Sequence, residues 1–189
     1  MRKTICLFSS LLCALSIAWN SGAVNANTDD QPQPYEQIYS EIGYQTIPEA
    51  VCEAEQHFKQ KLRLPLRVPA IPFTHYFGRF SDLEGEMNDS LDVEFVNDQS
   101  PENHYKIDVR SLKSKIPIKD KEVLGIYKLE HNNKAKYINV AGFHVVVFER
   151  DHWQYMLSVD KRTAVTPEAL VEIANTIDYA AKNEGGNKK

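Results

Sequence analysis

The chain holds many side chains able to do chemistry, but they are scattered. Six histidines, His57, His75, His104, His131, His144 and His152, occur singly, with no His-Glu-x-x-His and no cysteine pair. A zinc site read from sequence needs a closely spaced ligand pair, so these read as surface or turn histidines and no metal is assigned. Cys52 falls past the first turn of an expected helix, where the dipole lowers a thiol pKa little, and no histidine is placed beside it. It reads as an inert thiol buried at the boundary of the core, with a surface thiol forming an intermolecular disulfide as the second reading. Asp82, Glu84, Glu86 and Asp89 are the densest acidic cluster and offer oxygen ligands of the kind calcium takes. They lack the Asp-x-Asp-x-Asp-Gly spacing, so the expectation is a solvated acidic loop. Gly-x-Ser-x-Gly and the phosphate-cradling glycine loops are missing. Catalytic residues and cofactors are therefore assigned to none.

Binding candidates are aromatic and basic. Tyr76, Phe77, Phe80, Trp153 and Tyr155 could line a groove, although aromatics on alternating strands more often form core or cross-strand pairs. Arg150, Trp153 and Tyr155, at one hairpin, are the candidate binding residues. Lys113, Lys115, Lys119 and Lys121 form a basic stretch around Ile116-Pro117-Ile118. It reads first as a charged loop or protected edge, and second as a surface for anionic polymer or headgroups.

The elements that must position these residues follow from periodicity. Thr46, Pro48 and Glu49 make a helix start of the Thr-x-x-Glu kind, and Ile47, Val51, Ala54, Phe58 and Leu62 form one helical stripe. Leu64 to Pro72 carries three prolines, which remove donors and force extended backbone, so it predicts a pinned strap. From His75 the pattern turns to β: Tyr76–Phe80, Leu91–Val96, Tyr105–Val109, Leu124–Leu129 and the long Tyr137–Glu149 run. With Asp151 and His152 as a two-residue turn, Arg150 pairs with Trp153, Phe148 with Tyr155 and Val146 with Leu157. Thr166-Pro167-Glu168 starts a last helix with Leu170, Ile173, Ala174 and Ile177 as its stripe. The expected fold is α+β: a twisted antiparallel sheet of five to six strands with two amphipathic helices packed on one face.

At 189 residues the chain suits one domain, and 42% hydrophobic residues suffice for a core. The net charge of −4 excludes a basic nucleic-acid footprint. Residues 1–26 read as a secretory signal: Arg2 and Lys3, an apolar Ile5–Trp19 stretch, and small residues at Val24 and Ala26 before cleavage. Asn20, Ser21 and Gly22 stop the run short of the roughly 18–20 residues an anchor needs. Residues 27–44 then form a polar spacer, 45–180 a single domain and 181–189 a flexible tail. Cys52 alone remains after cleavage, so no internal disulfide is expected.

The Pro-rich Leu64-Pro65-Leu66-Arg67-Val68-Pro69 strap, the Val147 to Tyr155 hairpin and the closing Thr166–Ile177 helix resemble a domain of unknown function. That domain recurs in exported or membrane-tethered proteins of Gram-positive bacteria, including extracellular parts of anti-sigma factors. The resemblance covers about residues 45–178 and implies no catalytic residues. Together these readings predict a secreted or extracytoplasmic, monomeric, non-enzymatic module that binds or senses an envelope component, with a protein as the expected partner. It takes no nucleic acid and no stable place in a membrane. An extracellular hydrolase assembled only in three dimensions, or a passive secreted structural or stress protein, are the competing readings.

Overall fold

The computed structural model describes residues 34–83, 89–130 and 133–178. The expected signal and tail lie outside them, as do Glu84, Glu86 and His131. The described residues belong to one compact unit, Gln33–Lys189.

The helix expected from Thr46 forms as α2 (Ile47–Phe58), after a shorter α1 (Tyr35–Glu41). Thr46 donates from both its backbone N–H (3.2 Å) and its hydroxyl (2.5 Å) to the Glu49 carboxylate, which fixes the start of α2. The helix stops at Lys59, whose φ of 54° is left-handed, so Leu62 packs from the connection to the strap rather than from a further helical turn. Seven strands follow: β1 (His75–Ser81), β2 (Ser90–Val96), β3 (Tyr105–Ser111), β4 (Val123–Lys128), β5 (Lys134–Val140), β6 (Phe143–Arg150) and β7 (Trp153–Asp160). α3 (Pro167–Asn175) closes the chain, with the Thr166 hydroxyl accepting from the Ala169 N–H.

The strands form one open antiparallel sheet in the order β1-β2-β3-β7-β6-β5-β4. The fold is α+β as expected, with seven strands rather than five to six and three helices rather than two. The extra strand arises because Ala141-Gly142 breaks the Tyr137–Glu149 run; Gly142 takes φ of +78°, which lets the chain reverse inside an otherwise apolar stretch. The extra helix, α1, falls within the 27–44 spacer.

Side chains alternate across the sheet. Leu91, Val93, Ile107, Val109, Val146 and Leu157 point to one face, where Ala50 and Ala54 of α2 and Leu170, Ile173 and Ala174 of α3 complete the core. α2 crosses β1 at Gly78, where an added Cβ would lie 2.8 Å from Ala50 Cβ and 2.9 Å from the Ile47 Cα. The other face is polar at its centre and covered at its two ends. Over β1, Tyr39 of α1 stacks on Phe77 at 4.3 Å. Over β5 and β6, the segment between β3 and β4 brings Ile118 onto Ile138, Val145 and Val147. That segment is fastened by the Gln154 amide, which accepts from the Ile116 N–H and donates to the Ile116 carbonyl.

Candidate functional site

Arg150, Trp153 and Tyr155 stand in the predicted hairpin register, Arg150 opposite Trp153 and Phe148 opposite Tyr155. Asp151 supplies the positive φ that a two-residue turn needs, without a glycine. All three side chains are interior, with 6%, 2% and 1% exposure respectively. The Trp153 indole N–H donates to the Lys61 carbonyl at 3.0 Å, and the Tyr155 hydroxyl donates to the Arg63 carbonyl at 2.8 Å. Burial drives the Tyr155 pKa well above the ordinary tyrosine value, so its hydroxyl stays a donor. These two bonds satisfy carbonyls of the connection between α2 and the strap.

Trp153 also forms a wall of a pocket of about 320 Å³, shared with His57, Phe58, Asp89, Ser111 and Lys113. His57 comes from the last turn of α2, Asp89 from the residue before β2, Ser111 from the end of β3 and Trp153 from the start of β7. The His57 Nε2 stands 2.9 Å from Asp89 Oδ2, and its Nδ1 stands 3.7 Å from Asp82 Oδ2. Asp89 is 2% exposed and also accepts from the Leu83 N–H. Ser111 Oγ is turned to the Lys113 N–H, capping a short turn. Both imidazole nitrogens face carboxylates, so neither is directed at a hydroxyl nucleophile. Cys52 is exposed on α2 rather than buried, because it lies off the Ile47, Val51 and Ala54 stripe, and it accepts from the Gln56 amide in a pocket without histidine.

The polar face of the sheet carries a charge lattice. Asp92 stands 2.8 Å from Lys106 and 3.2 Å from Arg79, while Glu94 receives the Tyr44 hydroxyl and pairs with His104. Burial pushes the Asp92 pKa up, but Lys106 and Arg79 together hold it below the ordinary carboxylate value. Asp108, directly opposite Asp92, goes the other way: burial raises it, Arg110 offsets part of that, and Asp92 adds to the rise.

The two ends of the sheet differ. On the outer side of β1, Gln45 and Gly78 exchange two backbone hydrogen bonds of 2.8 Å, and α1 lies alongside. β4 ends the sheet at the other side, with Leu124 and Ile126 exposed at 56% and 64%. Next to it, Lys128 stands directly opposite Lys134, and Lys134 and Lys136 line a pocket of about 510 Å³ with Lys115, which pairs with Glu149 at 2.7 Å. Among the described residues, no ion pair reaches Lys128, Lys134 or Lys136.

Sequence reasoning reached the Asp82 and Asp89 carboxylates as an acidic loop but did not join His57 to them. No spacing signals that union: it is made by α2 packing across β1, so that the end of the helix meets the chain between β1 and β2. The isolated lysines of β4 and β5 carry no motif either. Comparison with protein families, with curated proteins and with solved structures finds no match to this chain. No helix among the described residues is long and apolar enough to cross a membrane.

Proposed function

We propose that the protein is an exported, non-enzymatic module that binds an envelope protein by receiving an extended, acidic segment along the outer edge of β4. The observation that carries this reading is the contrast between the two sheet edges. β1 is closed by Gln45 and α1, whereas among the described residues β4 ends the sheet with no further strand beside it and two large apolar side chains exposed. A strand added there gains main-chain hydrogen bonds, and Leu124 and Ile126 supply apolar contact. The directly opposed Lys128 and Lys134, with Lys136 beside them, repel one another and favour carboxylates on the incoming chain. The same lysines discourage indiscriminate edge pairing.

A photo-crosslinking residue placed at Ile126, and in a second protein at Tyr76 on β1, tests this in envelope extracts. The expected result is one saturable adduct from position 126, suppressed by salt and by Lys128→Glu with Lys134→Glu. Equal adducts from both positions, or capture at 126 untouched by the charge reversals, would overturn it.

A further inference from the structure

The geometry points to a divalent transition-metal site formed by His57, Asp82 and Asp89. One ligating atom from each of the three lies within 4.8 Å of the others. The His57 Nε2 and Asp89 Oδ2 are 2.9 Å apart in a hydrogen bond whose proton an incoming ion would replace. Ligands around a tetrahedral zinc stand about 3.4 Å apart, so this pair must open by about 0.5 Å and the third ligand, within 4.8 Å, must close by up to about 1.4 Å. Asp82 can make that movement, because its side chain is 66% exposed whereas that of Asp89 is 3% exposed. A fixed floor and an adjustable arm are thereby combined.

The ligand set selects the class of metal. Imidazole with two carboxylates suits zinc or manganese, whereas calcium and magnesium prefer all-oxygen shells of higher coordination number. Three protein ligands leave a position open, and two of them, His57 and Asp89, line a pocket whose wall also carries Trp153, Ser111 and Lys113. A cation held here would therefore be able to accept an outside ligand, and Lys113 makes an anionic group such as a carboxylate the favoured kind. The two carboxylates supply the negative charge that a divalent ion needs. This site uses none of the residues of the β4 edge, so each can fail without the other.

Titration of chelator-treated protein with Zn²⁺, read by calorimetry and by the melting temperature, tests the assignment. One zinc should bind per chain and raise the melting temperature, with calcium giving no comparable effect. Asp82→Asn, at an exposed side chain that leaves the fold intact, should weaken binding at least tenfold, and His57→Gln should abolish it, while His152→Ala binds as the parent does. Absence of one-to-one binding in the parent protein, or parental affinity in both Asp82→Asn and His57→Gln, would overturn it.

Discussion

Trp153 joins two segments that the chain separates by ninety-two residues, since its indole is enclosed against Phe58 and its N–H is spent on the Lys61 carbonyl. Trp153→Ala should therefore cost about 3–5 kcal/mol in denaturant unfolding, as expected for an emptied aromatic site. Tyr155→Phe keeps the ring stacked on Phe148 and loses only the bond to Arg63, so it should cost about 1 kcal/mol. Near-equal effects of the two would show that packing is not what Trp153 contributes. The Asp92 carboxylate makes a second prediction with a definite sign. Its folded pKa is depressed by Lys106 and Arg79, so its contribution is present above the ordinary value of 3.8 and is lost as pH falls through the lower folded value. Asp108 behaves oppositely, its raised pKa giving a small gain in stability as it takes up a proton above that range. Urea unfolding followed from neutral to strongly acid pH should thus show a steep loss below 3.8, and Asp92→Asn should be less stable at neutrality with that acid loss flattened. A parallel acid profile for the variant would remove Asp92 from the account. Little of this was legible beforehand, because the mutual distances of Asp92, Glu94, Lys106 and Asp108 depend on cross-strand register.

Helix and strand meet most tightly where α2 crosses β1. Gly78 is needed there for clearance, since a methyl group would press on Ala50 and the Ile47 backbone at under 3 Å. Gly78→Ala should cost roughly 1–3 kcal/mol through displacement of α2, whereas Gly125→Ala, whose added carbon meets only Tyr127 at 3.9 Å, should be close to neutral in the same melting experiment. Similar losses at both positions would mean that strand propensity rather than clearance decides. Elements of this kind were largely readable. The α2 and α3 stripes and the β6–β7 register follow from periodicity, because burial on one face dictates it, and the strap follows from its three prolines. The readings failed where a local conformation outweighed pattern: at Gly142, which divides one apolar run into two strands, and at Lys59, a left-handed residue that ends α2 before Leu62. α1 escaped because seven residues with no buried member leave no stripe to detect. The His57 pocket escaped for a related reason, since contacts between the end of a helix and a distant strand leave no spacing at all.

For the molecule as a whole, the decisive asymmetry is that one edge of the sheet is covered by the chain itself. Residues 34–45 wrap around β1, placing Tyr39 on Phe77, the Tyr44 hydroxyl on Glu94 and Gln45 against Gly78, while α2 passes to the opposite face. A polar spacer in this position would be dispensable, but the packing says otherwise. A chain beginning at Thr46 would leave the Gly78 N–H and carbonyl without Gln45 and bare the ring of Phe77, giving β1 an edge without the lysines that guard β4. Compared with a chain beginning at Asn27, it should melt at lower temperature and self-associate in concentration-dependent light scattering. Restoring charge at the bared edge with Phe77→Lys should reverse the association without restoring the melting temperature, because repulsion between edges needs no α1 whereas the Tyr44 contacts do. Unchanged melting and a monomeric truncated chain would mean that residues 34–45 add nothing to the sheet, and that the difference between its two edges lies in the strands alone.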